Sequence, residues 1–284
     1  MNLFAFGLGY STLNWIDTGR FARIAGTVTT REKAEALRAR GIEAFVLDGG
    51  DADPGFEPAL RDADAVLVSI PPAEGGDPVP ERFATVIARS RARWIGYLST
   101  IGVYGDRGGG WIDETALPDP PSPRTRRRVA AGAAWLALVQ ETGKAVQVFR
   151  LAGIYGPGRS ALDQLRAGTA RRIVKPGQVF NRIHVADIAQ VLSASLERPR
   201  PGAVYNLADD EPAPPQDVVT HAAALLGMEP PPEIAFDAAA LPATTASFYG
   251  ANKRVRNDLI KGELAVALAY PTYREGLAAI MARG

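Results

Sequence analysis

The stretch "LFAFGLGYST", residues 3–12, decides how the chain is read. An apolar run of strand length meets a turn with glycines at 7 and 9, and a helical pattern follows. In such a strand–turn–helix the first glycine permits the tight turn. The second lets a pyrophosphate approach the backbone, and the new helix offers unpaired N–H groups to phosphate. A dinucleotide fingerprint would carry a third Gly or Ala where Thr12 stands, so the helix is expected slightly further from the strand. By itself a Gly-x-Gly turn is weak evidence, because any tight strand–helix turn can use two glycines.

The rest of the chain supplies the context. "IAGTV" (24–28), "EAFVL" (43–47), "AVLVSI" (65–70), "WIGYLS" (94–99), "AVQVFR" (145–150) and "AVYNL" (203–207) are short apolar runs. Apolar throughout, they suit strands of a parallel sheet covered on both faces. Helical patterns lie between them, among them "REKAEALRARG" (31–41), with acids early, arginines late and Gly41 as its stop, and "VPERFATVIARS" (79–90). The alternation predicts an α/β fold, a doubly wound parallel sheet with a small C-terminal substrate lobe. The expected division is 1–160 plus 181–208 for the dinucleotide-binding domain. Residues 161–180 plus 209–284, richer in proline, form the lobe.

Composition removes several function classes. The chain has 284 residues, 46% of them hydrophobic, and a formal net charge of +1. No strong global field draws it to nucleic acid or an anionic membrane. There are no cysteines and two histidines, which argues against thiolate or histidine-rich metal sites. No apolar run reaches bilayer-spanning length and no signal-peptide pattern opens the sequence, so a cytoplasmic protein is expected.

About 20 residues beyond the glycines, an NAD site places an acid on the ribose hydroxyl. Here "VTTREK" supplies Thr29, Thr30 and Arg31 instead. A guanidinium with hydroxyls beside it suits a 2′-phosphate, so NADP is favoured over NAD. The bland reading, a polar first turn of helix 31–39, has to explain an arginine set against the helix dipole.

With "FGLGYS", "GTVTTR", "LSTIGVYG" (98–105), "DETALPDPPSP" (113–123), "FRLAGIYGPGR" (149–159), "RIHVADIA" (182–189) and "YNLADDEP" (205–212) in this order, the chain resembles the extended short-chain dehydrogenases/reductases. That group is also called the NAD-dependent epimerase/dehydratase family. The resemblance covers most of the chain. It implies cofactor contacts at Gly7, Gly9, Tyr10, Ser11, Thr30, Arg31, Ser69, Ile70, Pro71 and Ser99, and an active-site hydroxyl at Thr100. It also implies Asp48 near the adenine amine, while a turn role before "GGD" stands equally open. In relatives, helices matching 80–90 and 125–142 often build a dimer contact, so a homodimer is possible.

One stretch departs from the family. Its catalyst is Tyr-x-x-x-Lys on the helix after the fifth strand, four residues apart and therefore on one face. Here "SPRTRRRVAAG" (122–132) starts a helix with Ser122 and Pro123, and Arg124 and Arg128 stand in the Tyr and Lys places. Arginine keeps its proton, so Arg124 does not donate and recover one as tyrosine does. It suits holding a carboxylate or phosphate, or stabilising an oxyanion, and Arg128 suits the nicotinamide ribose. Arg126 and Arg127 are expected to face water. With no interleaved aromatics, a nucleic-acid patch is disfavoured.

Two readings follow. The first is an NADP-dependent oxidoreductase or epimerase acting on a small, anionic carbonyl or sugar-nucleotide-like substrate through Thr100, Arg124 and Arg128. The second is a non-catalytic dinucleotide-binding sensor or scaffold. His184 and Asp187, on one helix face, could form a dyad, although the matching family residues are largely structural. Arg171, Arg172 or Lys175 could meet an anionic substrate, and a solvated basic helix end is the plainer account of each.

Overall fold

All seven apolar runs become strands of one sheet. In the computed structural model, which describes residues 1–47 and 53–283, these are β1 (Asn2–Phe6), β2 (Arg23–Val28), β3 (Glu43–Val46), β4 (Ala65–Val68), β5 (Trp94–Thr100), β6 (Ala145–Leu151) and β7 (Val204–Leu207). They lie side by side in the order β7-β6-β5-β4-β1-β2-β3, in a parallel sheet with helices on both sides. The chain starts at β1, winds outward to β3, then returns past β1 to β4 and on to β7. Between β1 and β4 the winding direction reverses, and there the carboxyl ends of the strands open a crevice.

The helices are α1 (Tyr10–Ile16), α2 (Arg31–Arg38), α3 (Phe56–Arg61), α4 (Pro78–Arg89), α5 (Pro123–Thr142) and α6 (Val185–Glu197). Successive strand residues point to opposite faces, and both faces here are packed. Phe4 and Phe6 of β1 meet Phe56 of α3, with ring centroids 5.2 Å and 5.9 Å apart, and Phe56 meets Phe83 of α4 at 4.8 Å. A second set joins Trp15, Trp94, Phe149 and Tyr205 through centroid distances of 5.7–6.1 Å. Burial on both sides is why the strands read as apolar runs rather than as alternating ones.

The chain divides into two compact units. Unit 1 holds Met1–Thr100, Ser122–Arg150 and Ala189–Tyr205; unit 2 holds Ile101–Pro121, Leu151–Ile188 and Asn206–Gly284. Compared with the division expected from sequence, 101–121, 151–160, 181–188 and 206–208 fall in unit 2. Unit 2 pairs its strands two at a time: Gly153–Tyr155 with Arg182–His184, Arg172–Val174 with Glu233–Ala235, and Trp111–Ile112 with Arg254–Val255. Its core gathers Tyr155, Leu162, Val219, Ala222, Tyr273 and Leu277. The prolines that made this region look irregular have local work: Pro215 opens the helix Pro215–Leu225, where a missing N–H costs nothing.

Candidate active site

The glycine turn is fixed by a small polar network. The Gly7 amide donates to Thr27 Oγ1 at 2.9 Å, and its carbonyl accepts Thr12 Oγ1 at 2.9 Å and Ser69 Oγ at 2.7 Å. Gly7 has φ +97°, and a Cβ there would lie 2.5 Å from Ser69 Oγ. Glycine is therefore required twice over, by conformation and by space. Thr12 is fully buried and uses its hydroxyl on the Gly7 carbonyl, so the branched third position is absorbed by a hydrogen bond.

Gly9 differs in kind. Its φ −99° and ψ −170° suit any residue, and a Cβ would meet no atom within 4 Å. Neither backbone nor packing within the chain asks for glycine there. An open approach to the start of α1, which no side chain caps, is what a bound pyrophosphate needs. Tyr10 and Ser11 begin α1, half-buried and buried. At the end of β4 the Ser69 hydroxyl is committed to the turn, Ile70 leans on the core and Pro71 is exposed. Together these residues fit the pyrophosphate portion of a dinucleotide.

At the end of β2, Thr30 caps α2 by accepting from the Lys33 amide at 3.3 Å. Arg31 follows, exposed and without an ion-pair partner among the described residues. It borders a cleft of about 390 Å³ lined also by Glu35, Arg38, Phe45, Val46, Asp53 and Pro54. Arg38 is occupied by Asp53 at 3.2 Å and by the Ala44 carbonyl at 2.9 Å, which leaves Arg31 as the cation of the cleft with no partner among the described residues. Sequence reasoning missed Glu35 and Arg38, although their spacing from Arg31 sets all three on one helix face. Asp48 lies outside the described residues.

The carboxyl end of β5 carries Ser99, buried, and Thr100, half-buried. Alongside runs α5, opened by a capping box: the Thr125 amide donates to Ser122 Oγ at 3.3 Å and the Ser122 amide to Thr125 Oγ1 at 3.1 Å. Arg124 and Arg126 are exposed. Arg127 is half-buried, with an enclosed Nε that meets no acceptor, so it differs from the expected water-facing residue. Arg128 turns inward. Its Nη1 donates to the Leu98 carbonyl at 2.8 Å and to the Tyr97 hydroxyl at 3.2 Å. Its Nη1 is thus engaged by β5, whereas the expected role is toward a ribose.

A buried polar cluster stands behind that contact. Trp135 stacks on Tyr97 with centroids 6.0 Å apart and donates from Nε1 to Asp77 Oδ2 at 2.8 Å. Asp77 also accepts the Val79 amide at 3.1 Å and so caps α4. Burial pushes the Asp77 carboxyl up, against the Val79 and Trp135 hydrogen bonds and the Arg128 charge. Burial likewise raises the Tyr97 phenol, with Arg128 opposing.

In unit 2, His184 and Asp187 do not pair with each other and take structural roles. His184 Nδ1 accepts the Ala186 amide at 3.2 Å, and its ring sits against Tyr155 and Tyr270, with centroids at 5.1 Å and 4.0 Å. Burial drops its pKa to about 4, so the imidazole is neutral. Asp187 instead accepts the amides of Ala269 at 2.7 Å and Tyr270 at 3.2 Å, fastening the C-terminal segment. Arg172 pairs with Glu233 at 2.8 Å, Lys175 donates to the Tyr249 carbonyl at 2.5 Å, and Arg171 is exposed. Tyr104 is bound to Asn206 at 2.8 Å and Tyr155 to the Thr272 carbonyl at 3.3 Å. Asp209 gave no signal in sequence, yet burial lifts its carboxyl to about 8 against the charge of Arg182. No cluster of metal-binding side chains occurs among the described residues.

The fold has many solved counterparts. UDP-glucuronic acid 4-epimerase from Bacillus cereus, solved in complex with NAD, superposes with a TM-score of 0.78 at 15% identity, covering 99% of this chain and 96% of that one. A conserved protein of unknown function from Silicibacter pomeroyi superposes with a TM-score of 0.88 at 48% identity, over 99% and 98% of the two chains. Protein YeeZ from Escherichia coli is 31% identical over 226 residues, which is 74% of this chain and 77% of YeeZ.

The chain belongs to one family with YeeZ and the Silicibacter pomeroyi protein, on the fold that NAD-dependent epimerases and dehydratases share.

No single family model matches the sequence. A Streptomyces protein called 3-diazoavenalumate denitrifying reductase is 27% identical over 289 residues, covering 85% of this chain and 93% of its own. Among these neighbours the epimerase is solved with NAD and the Streptomyces protein is named a reductase, which supports a dinucleotide-binding, oxidoreductase-like fold. No helix among the described residues is long and apolar enough to cross a membrane.

Proposed function

We propose that the chain binds NADP on unit 1 and is a reductase or epimerase of a small, anionic carbonyl or sugar-nucleotide-like compound. The observation that carries the cofactor reading is Arg31, a guanidinium with no partner among the described residues, on the cleft at the end of β2, where an NAD site would hold an acid. A 2′-phosphate is the bidentate partner such a cation suits. Gly7 and Gly9 would admit the pyrophosphate, and the bound nicotinamide supplies hydride chemistry. Thr100 would orient the reacting oxygen and Arg124 would hold or neutralise negative charge on the substrate. The reductive sense is favoured over the epimerising one by the likeness to the Streptomyces reductase.

A second reading has its own support. Arg128 is engaged with Tyr97 and Leu98 through Nη1, and with arginine also at 124 no proton-shuttling residue stands in the family's catalytic pair, which favours a sensor that kept the cofactor site alone. NADPH oxidation across a carbonyl panel separates the two readings. Turnover by the native chain that is lost in the Arg124→Tyr, Arg128→Lys double variant supports an arginine-based enzyme. Turnover gained only in the double variant supports the sensor. The same proposal takes the protein to be a cytoplasmic homodimer, which its mass in solution would check.

A further inference from the structure

From the proton balance at α5 we infer that the hydride acceptor is a quinonoid compound, one whose reduced form is a phenolate-type oxyanion held by Arg124. This rests on the NADP-linked reading above. Reducing an ordinary carbonyl needs a hydride and a proton, and none of Tyr97, Asp77, Thr100 and Arg124 is an acid suited to deliver that proton. Arg124 stands in the tyrosine's place and keeps its own proton at any working pH. The phenol on β5, Tyr97, is fully buried and accepts from Arg128 at 3.2 Å. The Asp77 carboxyl is buried and occupied by Val79 and Trp135. The Thr100 hydroxyl is itself an alcohol, too weak an acid to protonate an alkoxide.

What the start of α5 offers instead is a cation. Arg124 is exposed and has no carboxylate partner among the described residues. The magnitudes then choose the substrate. An unprotonated simple alkoxide resembles hydroxide, whose conjugate acid has a pKa of about 16, so it lies about nine powers of ten from its neutral form at pH 7. A phenol ionises near about 10, so a phenolate lies only about three powers of ten away. One well-placed oxyanion donor is worth about 10²–10³ in rate. Arg124 therefore matches the shortfall of a phenolate and falls far short of an alkoxide's.

The balanced step is short. A quinone takes up the hydride, two electrons with one proton, from the reduced nicotinamide, which is left oxidised. The C–H bond of the reduced nicotinamide would break and an O–H bond form at one quinone oxygen; both C=O π bonds are spent as the ring becomes aromatic, and the second oxygen is left as the C–O⁻ that Arg124 holds. Water supplies the second proton after release, so no side chain has to.

Three measurements on the full-length protein test this. NADPH binding is measured first by fluorescence titration. Menadione and 4-carboxybenzaldehyde are then compared as acceptors. Last, the absorbance titration of 4-nitrophenol is followed with and without the protein and NADP. Expected are menadione reduction at least about 100-fold faster than aldehyde reduction, and a bound 4-nitrophenol pKa lowered by about one unit, tenfold in its ionisation. Arg124→Gln should lose about 100-fold in menadione reduction together with the spectral shift, and Arg124→Lys should recover part of both. Aldehyde reduction as fast as quinone reduction, an unmoved 4-nitrophenol pKa, an indifferent Arg124→Gln, or binding without turnover of either acceptor overturns the inference while the cofactor reading stands. Absence of NADPH binding removes the cofactor reading and this inference with it.

Discussion

The turn after β1 and the first turns of α5 stand in sharp contrast. At the turn, Gly7 and Thr12 satisfy demands made inside the protein, and Gly9 answers to none of them. On α5, the capping box and the buried Trp135 keep the helix of the family, while the two positions that would do the chemistry hold arginines. Binding a dinucleotide depends mainly on backbone approach and helix ends, which survive wide sequence change. Proton transfer depends on one side chain of suitable pKa, and a single exchange removes it.

The largest effect is expected at Gly7. Gly7→Ala forces a Cβ to within 2.5 Å of Ser69 Oγ at φ +97° and should cost about 2–4 kcal/mol of stability, read by denaturant unfolding, together with all dinucleotide binding. Gly9→Ala is the sharper partner to it. With open space around the new methyl, stability should stay within about 0.5 kcal/mol, while NADPH affinity falls at least about tenfold, a loss of about 1.4 kcal/mol. Equal damage from both substitutions would erase the distinction between a structural and a ligand-facing glycine.

On α5, Arg128→Ala should lower stability by about 1.5–3 kcal/mol, the range for hydrogen bonds from a charged group, and leave cofactor affinity little changed. A stable variant with lost NADPH binding would return Arg128 to the ribose role. The smallest shift is expected at Arg31. Arg31→Ala should weaken NADPH by about tenfold, or 1.4 kcal/mol, leave NADH unaffected and keep the melting temperature, since the side chain is exposed.

The legibility of the sequence follows the same contrast. Every strand of the main sheet was readable, because burial on both faces writes an uninterrupted apolar run. The pairs of unit 2 were not, since strands such as Trp111–Ile112 and Gly153–Tyr155 are too short to show any period. Ser122 and Pro123 announced the start of α5; the reciprocal bond from Thr125, where such a box usually has Glu or Gln, was not read. That Arg128 would reach back to Leu98 could not be read, because a long side chain chooses between a ligand and its own sheet by geometry alone. The His184–Asp187 spacing suggested a dyad; the fold gives each residue a separate main-chain partner. Arg31 was legible by position, but the cleft around it draws on Phe45 and Asp53 across a strand and a turn.

The central claim is that the glycine turn and Arg31 together hold NADP. Calorimetric titration of the native protein with NADPH, NADP, NADH and NAD tests it most directly. Expected is one molecule of NADPH or NADP bound per chain, at least about tenfold more tightly than the corresponding NADH or NAD, with that preference abolished in Arg31→Ala. No binding by any of the four, or a preference for NAD that survives Arg31→Ala, would contradict it.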